Sequence, residues 1–95
     1  MADVISVSHN PAAGVFEIRT DVGTALLRYA HEDGKLNLIH TEVPQALEGR
    51  GYGAALAKTA LDYAESVGLK VIPSCPFVRK YIQRHPERAA LVAAQ

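Results

Sequence analysis

Three glycines at alternate positions in Glu48-Gly49-Arg50-Gly51-Tyr52-Gly53 lead into the best helical pattern of the chain. Glycine opens the backbone to positive φ and removes the side chains that would hold a ligand away from main-chain N–H groups. The first turn of a helix leaves N–H donors unpaired, and its dipole places positive charge there. Together these features make an anion site whose natural occupant carries phosphate. Arg50 is either an additional charged donor to that anion or an ordinary solvated loop arginine. The second group that could do chemistry is Cys75, the only cysteine, which follows the apolar pair Val71-Ile72 and precedes Pro76. His40 lies near the end of another expected strand. If those two strands run parallel and adjacent, Cys75 and His40 approach each other at the carboxyl ends, where ligands bind in such sheets. A Cys–His pair is the minimum for an activated thiol, because the thiolate is the nucleophile and a free thiol titrates at about 8.5. The alternative is an inert buried cysteine, since free Cys is commonly a small core residue.

Other phosphate loops fit poorly. A P-loop needs Gly-Lys-Ser or Gly-Lys-Thr where this chain has Tyr52-Gly53-Ala54. A dinucleotide fingerprint follows the first strand of a βαβ unit with the spacing G-x-G-x-x-G, whereas here the spacing is G-x-G-x-G after several strands. A single cysteine offers no zinc-type pair and no two histidines share helical metal spacing, so no metal is expected. His31 reads as a solvated residue beside a turn, and His85, before Pro86, as a cap for the last helical turn.

The elements that position these residues follow from apolar periodicity. Val4–Ser8 reads as a strand with Ile5 and Val7 on one face, and Asn10-Pro11 with Gly14 as a turn. Val15–Thr20 places Phe16 and Ile18 opposite Glu17 and Arg19. Ala25–His31 is a third strand, Asp33-Gly34 a hairpin turn, and Leu36–Val43 a fourth strand ended by Pro44. Four strands on short turns imply an antiparallel meander. A helix over 51–67 repeats Leu56, Ala60, Tyr63, Ala64 and Val67 at helical spacing, with Gly68 as its C-terminal cap. A fifth strand at Val71-Ile72 is then parallel to the fourth through a right-handed crossover. Phe77–Arg84 is a short helix with Phe77, Tyr81 and Ile82 inward, and a further helical turn begins at Pro86. The fold class is α+β.

At 95 residues the chain is expected to be one domain, 1–95, with one core. Ten basic residues balance ten acidic ones, which argues against a surface that holds nucleic acid by charge. The apolar runs are too short to span a membrane, and Met1-Ala2-Asp3-Val4 does not open a signal peptide. A soluble, cytoplasmic, monomeric protein is the expectation.

The order of antiparallel strands, glycine loop at a helix start and parallel strand resembles the GCN5-related N-acetyltransferase (GNAT) superfamily, whose loop pattern is Gln/Arg-x-x-Gly-x-Gly/Ala. The chain is most similar to its very small members with an active-site cysteine. The stretches His40-Thr41-Glu42-Val43-Pro44, Glu48–Gly53, Cys75-Pro76-Phe77-Val78, Tyr81-Ile82 and Arg84-His85-Pro86-Glu87 carry that likeness, which covers essentially the whole sequence. The resemblance implies a minimal GNAT-like fold and acetyl-CoA as co-substrate. The amides of Glu48, Gly49, Arg50, Gly51, Tyr52 and Gly53 would hold the diphosphate, and the main chain at Ile39, Thr41 and Val43 would pair with the pantetheine arm. Arg79 or Lys80 would reach the adenosine phosphate. Cys75 and His40 are implied as active-site residues, with Tyr81 protonating the leaving CoA thiolate. Glu48 departs from the family's Gln or Arg and is expected to point away from the phosphates.

Two routes of acetyl transfer then compete. An amine, such as a protein lysine or N-terminus, attacks acetyl-CoA directly after losing a proton to His40 or Glu42, or Cys75 takes the acetyl group first. The rival readings are an acyl-CoA thioesterase working through acetyl-Cys75, and a non-catalytic module that binds CoA or another protein.

Overall fold

A computed structural model describes residues 5–93. Its sheet has five strands in sequence order: β1 (Ser8–Asn10), β2 (Val15–Thr20), β3 (Gly23–Glu32), β4 (Lys35–Glu42) and β5 (Lys70–Ile72). The first four form the antiparallel meander, and β5 lies parallel to β4 with Leu36 opposite Val71. Helix α1 (Tyr52–Ser66) supplies the crossover between them, and helix α2 (Pro76–Arg84) follows β5. Two 3-10 turns, Gln45–Leu47 and Pro86–Leu91, complete the α+β fold. Asp33 and Gly34 both take positive φ, as the hairpin between β3 and β4 requires.

The first strand is displaced from its expected place. Pairing with β2 begins at Ser8, while Ile5 and Val7 pack against the core without joining the ladder. Val4 and the residues before it lie outside the described residues.

Alternate positions of the strands build one face of the core: Phe16 and Ile18 from β2, Ala25, Leu27 and Tyr29 from β3, Leu36 and Leu38 from β4. Helix α1 covers that face with Leu56, Ala57, Ala60, Leu61 and Ala64, small enough on average to bring the helix close to the sheet. Tyr63 is half-buried, but Val67 is exposed because the helix ends before it. Helix α2 buries Ile82 as expected but pairs it with Val78, so its inward face is turned: Phe77 is 42% exposed and Tyr81 is half-buried. The last 3-10 turn is tied to α1 through Asp62, which accepts from Lys58 at 2.8 Å and from Arg88, while Arg88 also lies 3.8 Å from Glu65. Burial pushes the Asp62 carboxyl up, but hydrogen bonds and charge from Lys58 and Arg88 outweigh it and hold the group below its ordinary range.

Candidate active site

Strands β4 and β5 pair only over Lys35–Asn37 and Lys70–Ile72, after which the chains separate. A further main-chain hydrogen bond links β4 to the segment after β5, from the Cys75 N–H to the Leu38 carbonyl at 2.9 Å. Beyond it opens a cleft of about 550 Å³, walled by Thr41 from the end of β4, Val43 just after it, Leu47 and Glu48 from the following loop, Tyr52 from α1, and Phe77 from α2. Among the described residues the edge of β4 that faces β5 has no strand partner past this point, which leaves its peptide groups able to pair with a bound chain.

The loop is fixed at its start by Pro44 and the buried Leu47, which donates its N–H to the Pro44 carbonyl at 2.8 Å. Gly51 then occupies the N-cap of α1 with φ 84°, a conformation that few residues besides glycine adopt. Its carbonyl accepts the Ala55 N–H at 3.0 Å, and no side chain among the described residues caps the helix. The N–H groups of Tyr52, Gly53 and Ala54 therefore have no acceptor among the described residues, and all three residues line the cleft. Gly53 serves a different purpose from its neighbours. Its φ is ordinary, but a Cβ there would stand 2.6 Å from Cζ of the Phe77 ring. The third glycine lets an aromatic ring lie against the helix start.

The expected meeting of His40 with Cys75 does not occur. On β4 the register slips by one residue: Arg28 is opposite His40 but Tyr29 is opposite Leu38, leaving Ile39 as the extra residue of a bulge. A one-residue slip exchanges the two faces of a strand. Leu36 and Leu38 point to the core, and after the bulge Thr41 and Val43 take up that side, while His40 and Glu42 are exposed on the other. His40 Nε2 lies 3.4 Å from Glu42 Oε1. The Cys75 thiol, 3% exposed at the N-cap of α2, instead donates to Thr41 Oγ1 at 3.3 Å. The signal was present in the sequence, since adjacent Leu38-Ile39 break the alternation and Thr41 and Val43 resume it out of phase.

The remaining residues are placed as follows. Ile39, the bulge residue, is exposed. Glu48 and Glu42 both line the cleft. Gly49 takes φ 78° within the loop, and Arg50 is exposed beside it. Arg79 donates to the carbonyls of Pro73 and Ser74 at 3.2 and 2.9 Å, which fixes the connection from β5 to α2. Lys80 is exposed, and Tyr81 stacks on His85 with ring centres 4.1 Å apart. Neither Arg79, Lys80 nor Tyr81 lines the cleft. Phe77 does, although its sequence pattern suggested a core residue. No group of three or more His, Cys, Asp or Glu side chains suited to a metal is found among the described residues.

Residues 15–91 match the family model described as GCN5-related N-acetyl-transferase. The chain is 35% identical over 85 residues to Protein NATD1 of Xenopus tropicalis, covering 86% of this chain and 78% of that protein. The same identity and coverage of this chain hold for Protein NATD1 of Homo sapiens, over 75% of its length. Among solved structures, the NMR solution structure of a GCN5-like protein from Staphylococcus aureus superposes with a TM-score of 0.74 at 22% identity, covering 96% of this chain and 90% of that one. That likeness shows a shared fold.

Proposed function

Because the chain belongs to the GCN5-related N-acetyltransferase family, we propose that it takes acetyl-CoA as co-substrate and passes the acetyl group through Cys75 to an amine. The observation that carries this reading is the set of unpaired first-turn amides of α1 on the wall of a cleft whose Thr41 is bonded to the one cysteine thiol. The diphosphate of the cofactor would rest on those amides and on the loop Glu48–Gly53, where each favourable charge contact at an exposed helix start contributes roughly 0.3–1 kcal/mol. Arg50 and Lys80, both exposed, are the candidates for further phosphate contacts. The pantetheine arm would lie along the unpaired edge of β4 at Ile39, Thr41 and Val43.

In the first step the Cys75 Sγ attacks the acetyl carbonyl. An Sγ–C bond forms, the bond from carbon to the CoA sulfur breaks, and the thiol proton ends on that sulfur. One thioester replaces another, so the exchange is nearly balanced. In the second step the amine nitrogen attacks acetyl-Cys75, the Sγ–C bond breaks, and the sulfur recovers a proton. His40, with Glu42 beside it, lies on the face of β4 turned away from Cys75, so the amine proton passes to that sulfur or to solvent rather than to His40.

Calorimetric titration with CoA and intact-mass spectrometry after mixing with acetyl-CoA test both parts. Saturable binding and a single acetyl adduct, lost in Cys75→Ala, are expected. Absence of saturable binding sinks the whole reading. Amine acetylation that persists unchanged in Cys75→Ala removes the covalent route and leaves direct transfer.

A further inference from the structure

We infer that Thr41 is the residue that positions the Cys75 thiol for acetyl transfer; this rests on the covalent route proposed above. Three features of the structure converge on it. The bulge at Ile39 turns Thr41, rather than His40, toward the core side of β4, opposite the fully buried Leu27. The Cys75 backbone is pinned by its N–H bond to Leu38, so the place of the sulfur depends on its side-chain rotamer, and the rotamer present sets Sγ 3.3 Å from Thr41 Oγ1. Thr41 lines the cleft, whereas Cys75 is 3% exposed and does not, so this contact ties the thiol to a residue of the cleft wall.

Threonine suits this position. Its branched side chain has few rotamers in a strand, which defines where the hydroxyl lies. A hydroxyl also accepts from a thiol and donates to a thiolate, so the contact survives loss of the thiol proton. Valine matches its shape without the oxygen, and serine keeps the oxygen without the methyl.

The test compares the parent chain with Thr41→Val and Thr41→Ser, each first shown to melt as a folded protein. With saturating acetyl-CoA, formation of acetyl-Cys75 followed by intact mass should slow roughly tenfold in Thr41→Val and stay within about twofold in Thr41→Ser, the scale of one hydrogen bond. Acetylation of Thr41→Val at the parental rate, or of Thr41→Ser as slowly as Thr41→Val, overturns the assignment. Alkylation of Cys75 by iodoacetamide gives the second reading and needs no cofactor. There too Thr41→Val should react several-fold more slowly than the other two, and equal rates in all three overturn the assignment. If the parent binds CoA but never gains an acetyl group, the covalent route fails, and the iodoacetamide rates alone decide whether Thr41 orients the thiol.

Discussion

The two ends of helix α1 are built on opposite terms. Near its C-terminal end Tyr63 closes a cluster with His9, Phe16 and Tyr29: His9 stacks on Phe16 with ring centres 4.3 Å apart, meets Tyr63 edge-on at 4.6 Å, and bonds to the Tyr29 hydroxyl through Nε2 at 2.5 Å. Burial lowers the pKa of His9, helped by the charge of His31, and burial raises that of Tyr29, helped by Tyr63. Both groups are thereby held neutral, as a bond between uncharged partners requires. At the N-terminal end the first-turn amides lack acceptors among the described residues, two loop glycines sit at positive φ, and Phe77 is 42% exposed. One end satisfies its polar groups internally, and the other leaves them for a ligand. Functional clefts accept such local cost when the rest of the fold is secure.

The largest effect that would expose this division is at Phe16. Its ring is 1% exposed and lies within 6 Å, centre to centre, of His9, Tyr29 and Tyr63. Phe16→Ala should lower stability to urea by about 3–5 kcal/mol, the usual cost of removing a large buried ring. The CoA affinity of the protein that remains folded should be unchanged. A loss below about 1 kcal/mol would mean that the cluster is not where stability is concentrated.

How far these two ends can be read from sequence differs for a physical reason. The cleft loop is local: Glu48–Gly53 and the helix after it are contiguous, so glycine spacing and helical period announce them. The hairpin at Asp33-Gly34 and strands β2 to β5 are legible in the same way, from turn chemistry and alternation. What depends on register is not. His9 faces Phe16 only because pairing begins at Ser8, and Thr41 reaches Cys75 only because of one extra residue at Ile39. Phe77 illustrates a third case. Its short helix is legible and Ile82 is buried as expected, but Val78 rather than Phe77 and Tyr81 joins it on the buried face, and nothing local chooses between two adjacent apolar stripes.

A smaller effect, opposite in sign for stability and binding, is expected at Gly53. An alanine here is a better helix residue, which favours the fold by about 0.5–1 kcal/mol. Its methyl, however, would meet the Phe77 ring at 2.6 Å and push that ring out of place in the cleft wall. Gly53→Ala should therefore melt no lower than the parent while binding CoA roughly five- to tenfold more weakly, about 1–1.4 kcal/mol. In a Phe77→Ala background the same change should have little further effect on binding, since the clash is gone. Additive losses in the double variant would show that the ring and the glycine act separately, and would weaken the contrast between the two ends.

The smallest expected effect is a pH dependence confined to the aromatic end. His9 has an ordinary value of 6.5 in an unfolded chain and a lower one in the fold. Below 6.5 the unfolded chain therefore binds more protons at this position than the folded one, and stability falls as pH falls. The contribution of His9 is complete above 6.5 and is lost as pH drops from there through the lower folded value. Asp62 acts in the same direction, but its window lies below the ordinary carboxylate value of 3.8, so the two separate cleanly. His9→Phe keeps a ring against Phe16 and removes the titration, at the cost of the hydrogen bond to Tyr29, about 1 kcal/mol. Urea unfolding at several pH values between 7.5 and 5 should show a decline in the parent that is shallower in His9→Phe. Parallel declines in the two proteins would place the titration elsewhere and deny the aromatic cluster its neutral histidine.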